Sequence, residues 1–215
     1  MWFNKWSIIV GLLSLSLAAA SCGKKFGEGA PLPVGDSSQA AANALDTLRA
    51  LVTEQNYKNL GFDSVSEVKN AALGAPLPVY EIGLDRLKGY EAGQDGNALL
   101  TPTEEILYPV AVGGETRSSV SVVKKERGYV PSSFGKASIA KGLARFRGQD
   151  TAATFAVHIP ILGLYFLGRR IEGRLMVTPV VESTRPPLRA GAIVPIEEIV
   201  KAIGPLLRAY NGLPL

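Results

Sequence analysis

The chain has 215 residues, 47% hydrophobic and 20% charged, with a net charge of +4 and an isoelectric point near 9.2. This is ordinary globular composition, which excludes a disordered or collagen-like chain. One cysteine and one histidine rule out a disulfide framework and leave too few ligands for a zinc site.

The N-terminus reads first. Lys5 precedes an apolar run of 13 residues, Ile8 to Ala20. That is the layout of a secretory signal and is too short to span a bilayer as a helix. The small residues Ala19, Ala20 and Ser21 run directly into Cys22, the only cysteine. This stretch resembles the lipobox of bacterial lipoproteins, with Ala19 where leucine is most frequent. The resemblance covers about the first 22 residues. It implies that residues 1–21 are a signal peptide cut after Ser21, and that the Cys22 thiol is diacylated. It also implies that the new amino terminus is usually acylated. Two or three acyl chains hold a protein on a membrane persistently, where one is marginal. Gly23 in place of Asp implies onward transport to the outer membrane, facing the periplasm, in a cell with two membranes.

Lipid on Cys22 makes the membrane the first expected partner. An envelope protein, a peptide or an anionic polymer is the second, since a mild basic surplus suits anionic lipid, lipopolysaccharide or cell-wall polymer. Export places the chain away from nucleic acid. No second stretch is expected to cross a membrane: the most apolar internal run, Phe155 to Leu167, has 13 residues and carries His158 and Pro160.

Residues 22–38 are rich in Gly, Pro and small polar residues and read as a flexible tether. A single α+β domain is expected over 39–215. The hexapeptide GAPLPV occurs at 29–34 and again at 74–79, and only the second copy leads into a strand-like run. Leu45, Leu48 and Val52 predict an amphipathic helix over about 38–55. Ser64 with Glu67 forms a capping box for a short second helix stopped by Gly74. PVYEIGLDRL alternates as a strand, and residues 89–103 read as a polar, glycine-rich loop.

A hairpin is expected around Gly113-Gly114, with Ser119 and Ser121 of its second arm on a solvated face. Residues 136–147 predict a helix with Ile139, Leu143 and Phe146 on one side. Lys136, Lys141, Arg145 and Arg147 fall largely on the other. FAVHIPI reads as a strand, followed by a hairpin turning near Arg169–Gly173. A last amphipathic helix starts after Pro195, with Gly204-Pro205 expected to kink or interrupt it.

The fold class is therefore α+β, with an antiparallel sheet of about five to six strands packed by helices. The order helix, strand, hairpin occurs twice. Leu107-Tyr108 and Leu164-Tyr165 in the two hairpins hint at similar halves.

The vocabulary of catalysis is sparse. No metal-ligand spacing and no G-x-S-x-G motif is present. GQDGN at 93–97 lacks the bidentate acid of a calcium loop, and VGGE at 112–115 sits between strands, so both read as turns. His158, the only imidazole, lies on the less apolar face of its strand, where a packing role is the ordinary one. Glu104-Glu105 and Glu197-Glu198 each follow a proline and read as acids at helix N-termini.

The basic residues stand out most. Lys141, Arg145 and Arg147 on the predicted helix, with Arg169, Arg170 and Arg174 at the hairpin turn, are candidates for contact with an anionic surface. The expectation is a membrane-anchored envelope lipoprotein with a non-catalytic binding or envelope-maintenance role and no cofactor. The alternative is a cofactor-free hydrolase acting on cell wall or lipid, using His158 or carboxylates.

Overall fold

The structure, a computed structural model, describes residues 34–148 and 153–210. Cys22 and the signal-like segment lie outside the described residues, as does the first GAPLPV copy except Val34. No helix among the described residues is long and apolar enough to cross a membrane.

Helix α1 spans Val34–Leu51 and so begins inside the expected tether. Its first turn is held to the sheet by Ser37, whose buried hydroxyl is 2.9 Å from that of Tyr108. The helix stops at Leu51, where Asn56 takes over: its Nδ2 donates to the Leu51 carbonyl and its Oδ1 accepts from Thr53 N–H. Ser64 Oγ accepts from Glu67 N–H as a capping box should. The helix it opens is only a 3₁₀ turn over Ser66–Asn70, because Ala72–Leu73 (β1) extend and pair with Val110 and Ala111. Strand β2 covers Leu77–Glu81. The expected strand run ends there: Gly83 opens a short helix α2, Leu84–Lys88, so Leu84 is helical.

Strands β3 (Thr101–Val112), β4 (Glu115–Lys125) and β5 (Gly128–Phe134) form a meander, and α3 spans Ala137–Arg147. Strand β6 (Thr154–Ile159) leads into the β7–β8 hairpin, Leu164–Ile171 and Arg174–Pro179. The two-residue strands β9 (Ser183–Thr184) and β10 (Pro187–Leu188) pair with each other, and β11 (Val194–Pro195) leads into α4, Ile196–Ala209. Helix α4 runs through Gly204-Pro205 uninterrupted. Pro205 is exposed, so the carbonyl it leaves without a donor, that of exposed Lys201, faces water.

The fold is α+β with an open, mostly antiparallel sheet. Nine strands join it, more than the five to six expected, in the order β11-β8-β7-β6-β2-β3-β4-β5 with β1 also on β3. The surplus comes from β5 and from the very short β1 and β11. One pair is parallel: β2 and β6, with Val79 opposite Ala156 and Glu81 opposite His158. Each of these central strands is followed outward by an antiparallel hairpin. The two Leu-Tyr dipeptides are not equivalent in this frame. Leu107 pairs with Leu77 at the start of β2, whereas Leu164 pairs with Ile159 at the end of β6.

Alternation assigns the faces. Phe155, Val157, Ile159 and Phe166 pack under α4, and Ile106, Tyr108, Val110, Val120 and Val122 pack under α1. The register puts both groups on one side, since Pro78 opposes Ile106 and Tyr80 opposes Val157. On the other side α3 sets Leu143 against Leu77, Leu107, Ala156 and Leu167. Ser119 and Ser121 point to the α3 side and are buried, contrary to the expected wet face. Helix α3 lies over β4, and Ser119 Oγ donates to the Gly135 carbonyl where the chain turns into it.

The approach of α3 to the sheet depends on Gly142. A Cβ there would collide with the Val180 carbonyl oxygen and sit 2.8 Å from the Val180 Cβ. Gly142→Ala is therefore expected to lower stability by about 1–3 kcal/mol, although alanine gains about 1 kcal/mol of helix propensity. Urea unfolding of the two proteins measures the difference, and a stabilised variant would contradict the close contact.

Candidate functional site

The six basic residues singled out by sequence do not act as one set. Lys141 and Arg145 are exposed on α3, with the Arg145 guanidinium 5.3 Å from the Phe146 ring centre. Arg147 turns inward. It is 8% exposed, and its Nη1 and Nη2 donate to the carbonyls of Ala75 (2.8 Å) and Pro76 (2.9 Å), while Nε donates to Thr154 Oγ1 (3.0 Å). It is a buried tie between α3 and the starts of β2 and β6, so it leaves the candidate surface. Arg169 is half-buried, donating to the Phe146 carbonyl at 3.3 Å.

Arg170 and Arg174 are exposed. Arg170 stacks 5.0 Å from the Phe155 ring and donates through Nε to Asn97 Oδ1. Asn97 belongs to the GQDGN turn, where Asp95 accepts from the Asn97 N–H and side chain. These two bonds, with a further pull from the Arg170 charge, hold the Asp95 carboxyl below its usual range.

Charge is unevenly divided along the chain. Residues 34–135 carry nine Lys and Arg against thirteen Asp and Glu, whereas residues 136–210 carry eleven against five. Among the described residues, carboxylate ion pairs engage Arg49 with Asp46 and Arg117 with Asp63, Glu67 and Glu115. None of them engages Lys141, Arg145, Arg169, Arg170 or Arg174. The exposed cations of the second half are therefore free to meet an external anion.

His158 sits on the α3 side of β6, half-buried, its ring stacked on Tyr165 with centres 4.1 Å apart and planes 13° from parallel. Lys136 donates to the Tyr165 hydroxyl at 3.0 Å. Burial first, and the Lys136 charge second, push the imidazole pKa from 6.5 down to about 4. A neutral imidazole without a bonded carboxylate or hydroxyl lacks the orienting partner that nucleophilic catalysis requires.

Glu81 opposes His158 in the parallel pair but does not hydrogen-bond to it. It lines instead a shallow depression of about 530 Å³ with Leu84, Arg86, Thr101 and Thr103. The S-x-x-K spacing occurs five times, at Ser21–Lys24, Ser66–Lys69, Ser121–Lys124, Ser133–Lys136 and Ser138–Lys141; the first lies outside the described residues, and Ser66 Oγ bonds to Ser64 Oγ. The Ser121 and Ser133 hydroxyls are buried without partners, so neither engages its lysine. Ser138 is exposed, and no hydrogen bond joins it to Lys141.

The acid pairs part company too. Glu197 and Glu198 occupy the first turn of α4 as expected, but Glu104-Glu105 lie in β3, with Glu104 at φ 57 where the register with β2 slips. No group of three metal-competent side chains forms among the described residues. Comparisons with family models, with curated proteins and with solved structures return no match.

Two measurements check these assignments. Arg147→Ala is expected to cost about 1–3 kcal/mol, because it removes the buried guanidinium and its three hydrogen bonds, while Arg145→Ala stays within about 0.5 kcal/mol of wild type. Equal effects in urea unfolding would contradict the division.

His158 is the sole histidine, so its single imidazole resonance should titrate near pH 4 rather than near 6.5. The unfolded chain takes up this proton first as pH falls. The stability supplied by neutral His158 is thus complete above about pH 6.5 and is lost as pH falls toward about 4, amounting to roughly 1–2 kcal/mol for a half-exposed ring. His158→Phe, which keeps a stacking ring, should flatten that part of the pH profile. An unchanged profile would show the shift to be absent.

Proposed function

We propose that the protein is a bacterial envelope lipoprotein, held to the membrane by acyl chains on Cys22. On this reading its α+β domain is a non-catalytic binding or envelope-maintenance module facing anionic material. The observation that carries the binding role is the set of exposed cations Lys141, Arg145, Arg170 and Arg174, none in an ion pair among the described residues, on a half-chain with a large basic excess. The lipobox-like end supports the anchor. Gly23 after Cys22 favours the outer membrane, facing the periplasm, in a cell that has one. Near an anionic surface each such cation contributes about 1 kcal/mol. Four together matter little for a freely diffusing protein but much for one tethered beside its target. The hydrolase alternative has no comparable support, since His158 is stacked and unpartnered by acid or hydroxyl.

Intact mass and membrane fractionation of the wild type beside Cys22→Ala, expressed in a bacterial host, test the anchor. Wild type is expected to gain acyl mass and to sediment with membranes, and Cys22→Ala to do neither. Both proteins appearing soluble at unmodified mass would overturn it.

A further inference from the structure

We infer that the β7–β8 hairpin tip docks into an anionic phospholipid bilayer, with Ile171 entering the headgroup layer inside a collar of arginines. This names the partner of the cationic surface proposed above and rests on that reading. Four observations converge on the tip. Ile171 is 44% exposed, although its strand is otherwise buried from Phe166 to Gly168. Alternation places Arg169, Ile171 and, across the ladder from Ile171, Arg174 on one face of the hairpin and Arg170 on the other. Positive charge therefore flanks the apolar side chain on both faces, which suits an edge-on approach to phosphates. Exposed Arg145 stands on the same flank, because its neighbour Phe146 accepts the Arg169 hydrogen bond.

The tip is also built to keep its shape. Glu172 and Gly173 both have positive φ, 52° and 78°, as a two-residue type I′ turn requires. Asn97 braces it from the GQDGN turn, donating from Nδ2 to the Gly173 carbonyl at 2.8 Å and accepting from Arg170 Nε at 3.0 Å. A turn ordered in advance loses little conformational freedom on docking.

The β3–β4 turn at the same end of the sheet makes the contrast. Its cation, Arg117, is neutralised by Asp63, Glu67 and Glu115, and the turn residues themselves are Gly113-Gly114. Of these two turns, the β7–β8 turn combines an exposed aliphatic side chain with guanidinium groups outside any carboxylate ion pair among the described residues. Glu172 opposes docking at the tip, and three arginines outweigh it.

The test places an environment-sensitive dye on Ile171→Cys in the full chain, on vesicles of phosphatidylethanolamine with phosphatidylglycerol and on phosphatidylcholine alone. A dye on Ser132→Cys, exposed on the opposite edge strand β5, is the control. On the anionic vesicles the dye at 171 is expected to shift to the blue and to be quenched by nitroxide-bearing lipid, while the dye at 132 reports water. Each cation near the surface changes partitioning about fivefold, so Arg170→Gln with Arg174→Gln should lower the ratio of docked to undocked tips about 25-fold. A dye at 171 that reports water on anionic vesicles, or that is quenched equally on phosphatidylcholine, overturns the inference. The anchor is read separately: one dye per chain means Cys22 is blocked by lipid, and two mean that it is free. A failed anchor is thereby distinguished from a failed tip.

Discussion

A buried guanidinium holds the start of the parallel seam between β2 and β6. The segment entering β2 contains Pro76 and Pro78, which have no N–H to give, and the carbonyls of Ala75 and Pro76 accept from a side chain instead. Arg147 supplies them from the end of α3 and reaches Thr154, the first residue of β6, with its third bond. One side chain thus ties the crossover helix to both central strands. Everything outward depends on that seam: the β3–β4–β5 meander is built on β2, and the β7–β8 hairpin on β6. A charge so placed is justified by its bonds rather than by its charge, and losing it removes three hydrogen bonds at once, two of them to half-buried carbonyls.

The same helix carries Arg145 two residues earlier with the opposite consequence. Helical geometry turns Arg147 under the sheet's entry and leaves Arg145 in water, so adjacent basic residues serve structure and surface separately. The charge of Lys136 is likewise used internally, against the Tyr165 hydroxyl beside the neutral His158 ring. The proposed contact surface is the outer side of α3 and the arginine-rich β7–β8 turn. These are solvated, unpaired and, at the turn, rigidly braced by Asn97.

Much of this frame is legible from periodicity. Helices α1, α3 and α4 bury their apolar stripes, and β6 divides Phe155, Val157 and Ile159 from Ala156 and His158 as its alternation predicts. What periodicity misses depends on partners distant in sequence. Ser119 and Ser121 alternate like a wet face, yet α3 covers them. Strand β5 carries Pro131 and two serines and is acceptable only because it lies at the sheet edge. Glu104 resembles a helix-opening acid after a proline, but pairing with β2 draws that segment into a bulged strand. For the site, the free arginines could be named from sequence. Arg147 could not be told apart from them, because a basic residue at a helix end reads the same whether it faces water or three acceptors of its own chain.

Hydrogen exchange followed by mass spectrometry, on the intact chain bound to anionic membranes and again in neutral detergent, tests the central division between an inward tie and an outward docking face most directly. Segments 75–82 and 154–159 should exchange slowest in both conditions, and segment 169–174 should gain protection only on the anionic membrane. A seam that opens more readily than the hairpins, or a hairpin turn that exchanges equally in both conditions, would contradict the account.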